Sequence, residues 1–73
     1  MTREIEIKDQ AQIAKIARVA SGADYGVWVA TDTVMLDARS LLGLYALIGS
    51  RVRVVAGDSA DPEKFGKLVD RME

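Results

Sequence analysis

The chain has 73 residues, enough for one small hydrophobic core and no second domain, so residues 1–73 are expected to form a single domain. Ten Lys/Arg against eleven Asp/Glu leave a net charge of −1, which gives no reason to expect nucleic acid or an anionic membrane as partner. There is no Cys and no His, which excludes disulfides, thiolate metal sites and Ser-His or Cys-His nucleophiles, and leaves no expectation of a metal or other cofactor. The longest apolar run, Leu41 to Ile48, is far short of the roughly 20 residues of a membrane span. Charge from Arg3 onward leaves no signal-peptide core. The expectation is a soluble, cytoplasmic, non-catalytic domain.

In chain order, Arg3 to Lys8 alternates Ile5 and Ile7 with Glu4, Glu6 and Lys8, the period-2 pattern of a strand with one wet face. Asp9 with Gln12 three residues on predicts a capping box at a helix start. Ile13, Ile16, Ala17 and Ala20 form that helix's apolar stripe, and Ser21-Gly22 ends it, with Gly22 free to take the left-handed closing conformation. Residues 25–38 read as a hairpin. Its first strand, Tyr25 to Ala30, turns Val27 and Val29 inward and Trp28 outward; its second, Thr33 to Ala38, turns Val34, Leu36 and Ala38 inward and Met35 and Asp37 outward. Ser40 is a second cap candidate, opening a short helix over Leu41 to Ile48 that Gly49-Ser50 stops. Residues 51–56 form a fourth strand with Val52, Val54 and Ala56 inward and Arg51, Arg53 and Val55 outward. After a turn at 57–60, Asp61-Pro62 starts a last helix whose stripe is Phe65, Leu68, Val69 and Met72.

The order is β-α-β-β-α-β-α. Four strands with one wet face each predict an antiparallel sheet with helices on one side, a two-layer α+β domain.

This order, and several segments, resemble HPr, the histidine-containing phosphocarrier of the bacterial sugar phosphotransferase system. The strongest match is Ala38-Arg39-Ser40-Leu41-Leu42-Gly43-Leu44, which is similar to the family's segment around a regulatory serine. The strand that follows, the last helix Phe65 to Met72, and Ile13 to Val29 also align. The resemblance implies an open-faced β-sandwich with strand order 1-4-2-3. It departs at one place. The family's phosphocarrier loop reads Gly-Leu-His-x-Arg-Pro; here several residues of that loop are missing, Asp9 falls at the histidine, Ala11 at the arginine and Gln12 at the proline. A helix end carrying its own carboxylate satisfies its amides and repels phosphate, so phosphocarrier activity of the usual kind is not expected.

Each candidate residue has a plain reading beside a functional one. Asp9 is a helix cap, or a permanent acidic mimic of a phosphorylated histidine. Ser40 is a helix cap, or, as the resemblance implies, a phosphorylation site whose phosphate the helix end tolerates. On the short helix, Leu41, Leu44 and Ile48 are the expected core set, and Leu42 and Tyr45, with part of Leu41, the exposed one. The resemblance makes Leu41, Leu42 and Tyr45 a partner-docking surface. Trp28 lies on the open sheet face with Met35 and Val55 and is a second candidate partner contact. Arg51 and Arg53 are expected to face Glu4 and Glu6 across the sheet, with one Arg stacked on Trp28. Asp58, Asp61 and Glu63 lack calcium-loop spacing, and Asp61 is better used as a cap.

The expected function is therefore an HPr-like protein without the phosphocarrier histidine: a regulatory protein–protein interaction domain, monomeric or weakly dimeric, whose partners are phosphotransferase-system or carbon-regulation proteins. The alternatives are a phosphoryl-transfer protein with a carboxylate acceptor at Asp9, and a small structural or homodimeric subunit built on the Trp28 face.

Overall fold

The structure, a computed structural model, describes residues 1–73. The elements are β1 (Thr2–Glu6), α1 (Gln10–Ser21), β2 (Val27–Ala30), β3 (Met35–Asp37), α2 (Leu41–Tyr45), β4 (Arg51–Ala56) and α3 (Pro62–Met72). The four strands form one sheet in the order β1-β4-β2-β3, with every neighbouring pair antiparallel. This is the α+β open-faced sandwich expected from the sequence, with the predicted strand order.

The registers explain the two faces. Val29 lies opposite Leu36 and Val54, and Ile5 opposite Val52, so the inward sets of all four strands fall on one face. The helices cover that face with Ile13, Ile16, Val19 and Ala20 of α1, Leu44 of α2, and Phe65, Leu68, Val69 and Met72 of α3. On the opposite, open face, Arg51 reaches diagonally to Glu4 at 2.6 Å. Arg51 and Arg53 stand opposite Glu6 and Glu4 in the register, as expected, but the Arg53 guanidinium bonds Asp32 at 3.3 Å and the Thr31 carbonyl at 3.0 Å. The β2–β3 turn lies beyond Ala30, which pairs directly with Arg53, so the turn's acceptors are within reach of that guanidinium.

Element ends differ from the pattern-based bounds, each for a local reason. β1 ends at Glu6, yet Ile7 keeps two backbone bonds across to the segment before β4, donating to Ser50 at 3.0 Å and accepting from Gly49 at 2.7 Å. Ile7 is fully buried as a result. Val34, expected inward, is exposed. It belongs to the β2–β3 turn, where its carbonyl accepts from Thr31 N at 2.8 Å and its N–H donates to Thr31 Oγ1 at 3.1 Å. β2 begins at Val27, not Tyr25. α2 stops at Tyr45, not Ile48. Gly22, expected to close α1 in the left-handed region, closes it with φ −83°. The positive φ, +89°, is at Gly49, where the chain reverses out of the α2 turn into β4.

Candidate functional site

Three places carry the residues singled out in the sequence: the start of α1, the start and outer surface of α2, and the open face of the sheet.

At the start of α1, Asp9 is the cap. Its Oδ1 accepts from Gln12 N at 2.9 Å, which occupies one of the amides that a bound phosphate would need. The reciprocal half of the expected capping box is replaced by something else. The Gln12 side chain, buried, accepts from Lys8 N at 2.8 Å through Oε1 and donates to the Glu6 carbonyl at 2.8 Å through Nε2. It thereby ties the β1–α1 connection to the first turn of the helix. The expectation that Asp9 stands at a helix start holds; the role of Gln12 as a loop clasp was not legible, because i to i−4 and i to i−6 bonds have no sequence signature. Lys8, Arg51, Glu6 and Glu73 line a shallow depression of about 240 Å³ beside this end. The signs are mixed there, and Arg51 is already engaged by Glu4.

Ser40 caps α2. Its Oγ accepts from Gly43 N at 3.4 Å, a long bond at the limit of the range, and its own N–H donates to the Asp37 carbonyl at 2.9 Å. The preceding Arg39 is held in a fork by Asp37: Nε to Oδ1 at 2.9 Å and Nη2 to Oδ2 at 2.7 Å, with the Arg39 backbone N–H on the same Oδ1 at 2.9 Å. These bonds hold the Asp37 carboxyl well below the usual range, at about 2, and raise the Arg39 guanidinium.

The outer surface of α2 and its following turn is apolar. Leu42 is 87% exposed, Leu41 49%, Tyr45 43% and Ile48 40%, while Leu44 is fully buried. Leu42, Leu44 and Tyr45 fall as expected. Leu41 and Ile48 do not join the core. A five-residue helix presents one inward position, filled by Leu44, and Ile48 lies past the helix end, where the 3.6-residue period no longer applies. Sequence reasoning thus missed Ile48 as part of the exposed set. No charged residue lies between Ser40 and Ser50.

Trp28 is 38% exposed on the open sheet face, opposite Asp37 and Val55. Arg51 and Arg53 are bonded elsewhere, to Glu4 and to the β2–β3 turn. The Trp28 ring folds back over Gly26, where an added Cβ would come within 2.6 Å of Cη2. The glycine makes room for the indole. Trp28 and the α2 residues lie on opposite faces of the sheet, so the four candidate contacts do not form one surface. Asp61 caps α3 by accepting from Lys64 N at 3.1 Å, as expected. No helix is long and apolar enough to cross a membrane.

No protein-family model matches the chain, and no curated protein matches it in sequence. Solved structures do match. The fold is similar to that of HPr-C-His from Thermoanaerobacter tengcongensis, with a TM-score of 0.75 at 26% identity over 99% of this chain and 90% of that one. It is also similar to the phosphocarrier protein HPr from Bacillus anthracis str. Ames, with a TM-score of 0.73 at 15% identity over all of this chain and 96% of that one. The fold, a four-stranded antiparallel sheet in the order β1-β4-β2-β3 with three helices, is thus HPr-like over nearly the whole chain.

Proposed function

We propose that this chain is a cytoplasmic, non-enzymatic, regulatory protein–protein interaction domain related to the sugar phosphotransferase system, with Leu41, Leu42 and Tyr45 docking the partner and Ser40 acting as a phosphoswitch beside them. The observation that carries the reading is the uncharged apolar surface of α2, exposed on a fold of the HPr kind and bounded at its start by a serine cap. Ile48 extends that surface. The absence of any histidine, with Asp9 already bonded to its own helix end, favours docking over phosphoryl carriage. What counts against Asp9 as a carboxylate phosphoryl acceptor is that no cation pairs with it to stabilise a transferred phosphoryl group.

The test has two arms. The protein is incubated with ATP and the bacterial kinase that phosphorylates the HPr serine, and its mass is measured beside that of Ser40→Ala. A single added phosphate that the variant loses is expected; no phosphate on folded protein would reduce Ser40 to a cap. In the second arm, purified phosphotransferase-system and carbon-regulation proteins are titrated against the protein and Leu42→Ser. Binding that the variant loses is expected, and equal binding by both would remove α2 as the docking surface.

A further inference from the structure

On α3, Lys64, Lys67 and Arg71 recur at i, i+3 and i+7 and share one side of the helix, with Glu63 and Asp70 flanking them beside Lys67. The basic side borders a groove of about 380 Å³ between α3 and residues 22–25, the segment that follows α1. Ala23, Tyr25 and Leu68 supply its apolar lining, and Asp24 is the one acidic residue in its walls. The backbone N–H groups of Asp24 and Tyr25 donate to no acceptor within the chain. Lys67 is paired with Glu63 at 3.7 Å, but both side chains are exposed and such a pair exchanges readily. Lys64 and Arg71 form no ion pair. On a chain of net charge −1, three cations around an apolar-floored groove are a local excess. The groove lies at the far end of α1 from Asp9, about 18 Å along a twelve-residue helix.

We propose that this groove docks an acidic segment of a protein partner, laid extended along α3 with an apolar side chain in the Ala23–Tyr25–Leu68 floor and carboxylates against Lys64, Lys67 and Arg71. The open, shallow shape suits a length of chain better than an enclosed small molecule. The seven steps from Lys64 to Arg71 span about 10 Å of helix, a distance that about three residues of extended chain cover. Three cations are too few to hold a nucleic-acid backbone firmly at physiological salt. Complementary charge sets the orientation and the buried apolar side chain adds the affinity. The site is separate from α2, and its occupant does not depend on the reading given for Ser40.

The probe is the peptide acetyl-Asp-Glu-Leu-Asp-Glu-amide, titrated into the isotopically labelled protein at low salt while backbone amide resonances are followed. Shifts confined to residues 22–25 and 64–71 are expected. Affinity should fall about tenfold or more in the Lys64→Glu, Lys67→Glu double variant, should fall as salt rises, and should weaken when the peptide's leucine is replaced by serine. Leu42→Ser should bind the peptide as the unaltered protein does. Both lysines are exposed, so the double variant should fold; circular dichroism checks this, and Lys64→Gln with Lys67→Gln is the milder pair. No shifts, shifts centred elsewhere, or equal affinity for the serine peptide would overturn the proposal. So would tighter binding of an oligothymidylate of equal charge.

Discussion

Gln12 shows how one side chain holds the start of α1 in place. Its amide satisfies the Glu6 carbonyl and the Lys8 N–H, two groups of a connection that has no ladder partner of its own on that side, and its own N–H is taken by Asp9. Gln12→Ala removes the first two bonds and leaves a part-buried carbonyl and amide to be satisfied by water, at a cost of about 1–3 kcal/mol. Asp9→Ala removes one cap bond at a more exposed position and should cost about 1 kcal/mol. Urea unfolding of the two variants should therefore rank Gln12→Ala as the less stable, and the reverse order would show that the cap, not the clasp, secures this end. Gln12→Glu separates the two bonds further. It keeps an acceptor for Lys8 N but sets a carboxylate oxygen against the Glu6 carbonyl, so that variant should gain stability as pH falls and the new carboxyl becomes a donor.

At the scale of the element, α2 places two leucines of opposite consequence two positions apart. Leu44 is fully buried and Leu42 is 87% exposed. Leu44→Ala should cost about 2–5 kcal/mol through lost packing and the cavity left behind. Leu42→Ser should shift stability by no more than about 0.5 kcal/mol, since it touches no part of the core. Chemical denaturation checks both, and the contrast matters for function, because a Leu42 variant that loses a partner while keeping its stability separates docking from folding. The same element shows where sequence patterns lose their hold. Strands with alternating side chains, and helices of eleven or twelve residues with full stripes, were legible because the period repeats often enough to fix a face. The caps Asp9, Ser40 and Asp61 were legible because each needs only one residue before a helix. In α2 and the β2–β3 turn the period runs out. Leu41, Ile48 and Val34 are apolar residues whose exposure is decided by where an element stops, and the stops are marked by one tertiary bond, Gly49 N to the Ile7 carbonyl, and one turn bond, Thr31 N to the Val34 carbonyl. The groove between α3 and residues 22–25 was invisible for a related reason, since its walls are some forty residues apart in sequence.

At the scale of the whole molecule, the titration of the chain should leave its neutral range nearly empty. There is no histidine and no cysteine, and the resolved shifts move groups away from neutrality: the Asp37 carboxyl down to about 2 through its Arg39 fork, and the Tyr25 hydroxyl up through burial and the nearby Asp24 and Asp61 carboxylates. The signs follow from linkage. Asp37, depressed in the folded state, contributes stability above its unfolded value near 4 and loses it as pH falls through about 2. Tyr25, raised in the folded state, contributes stability that is complete below about 10 and is lost as pH rises through its folded value. Stability against pH should thus be flat from about pH 6 to 7, with an acid limb that Arg39→Gln shortens and an alkaline limb that Tyr25→Phe flattens. Thermal unfolding across pH, with the Asp37 carboxyl followed by carbon resonance, measures all three. A slope between pH 6 and 7 would expose a coupled group that these contacts do not contain. A flat plateau has a corollary: no side chain here switches by gaining a proton near neutrality.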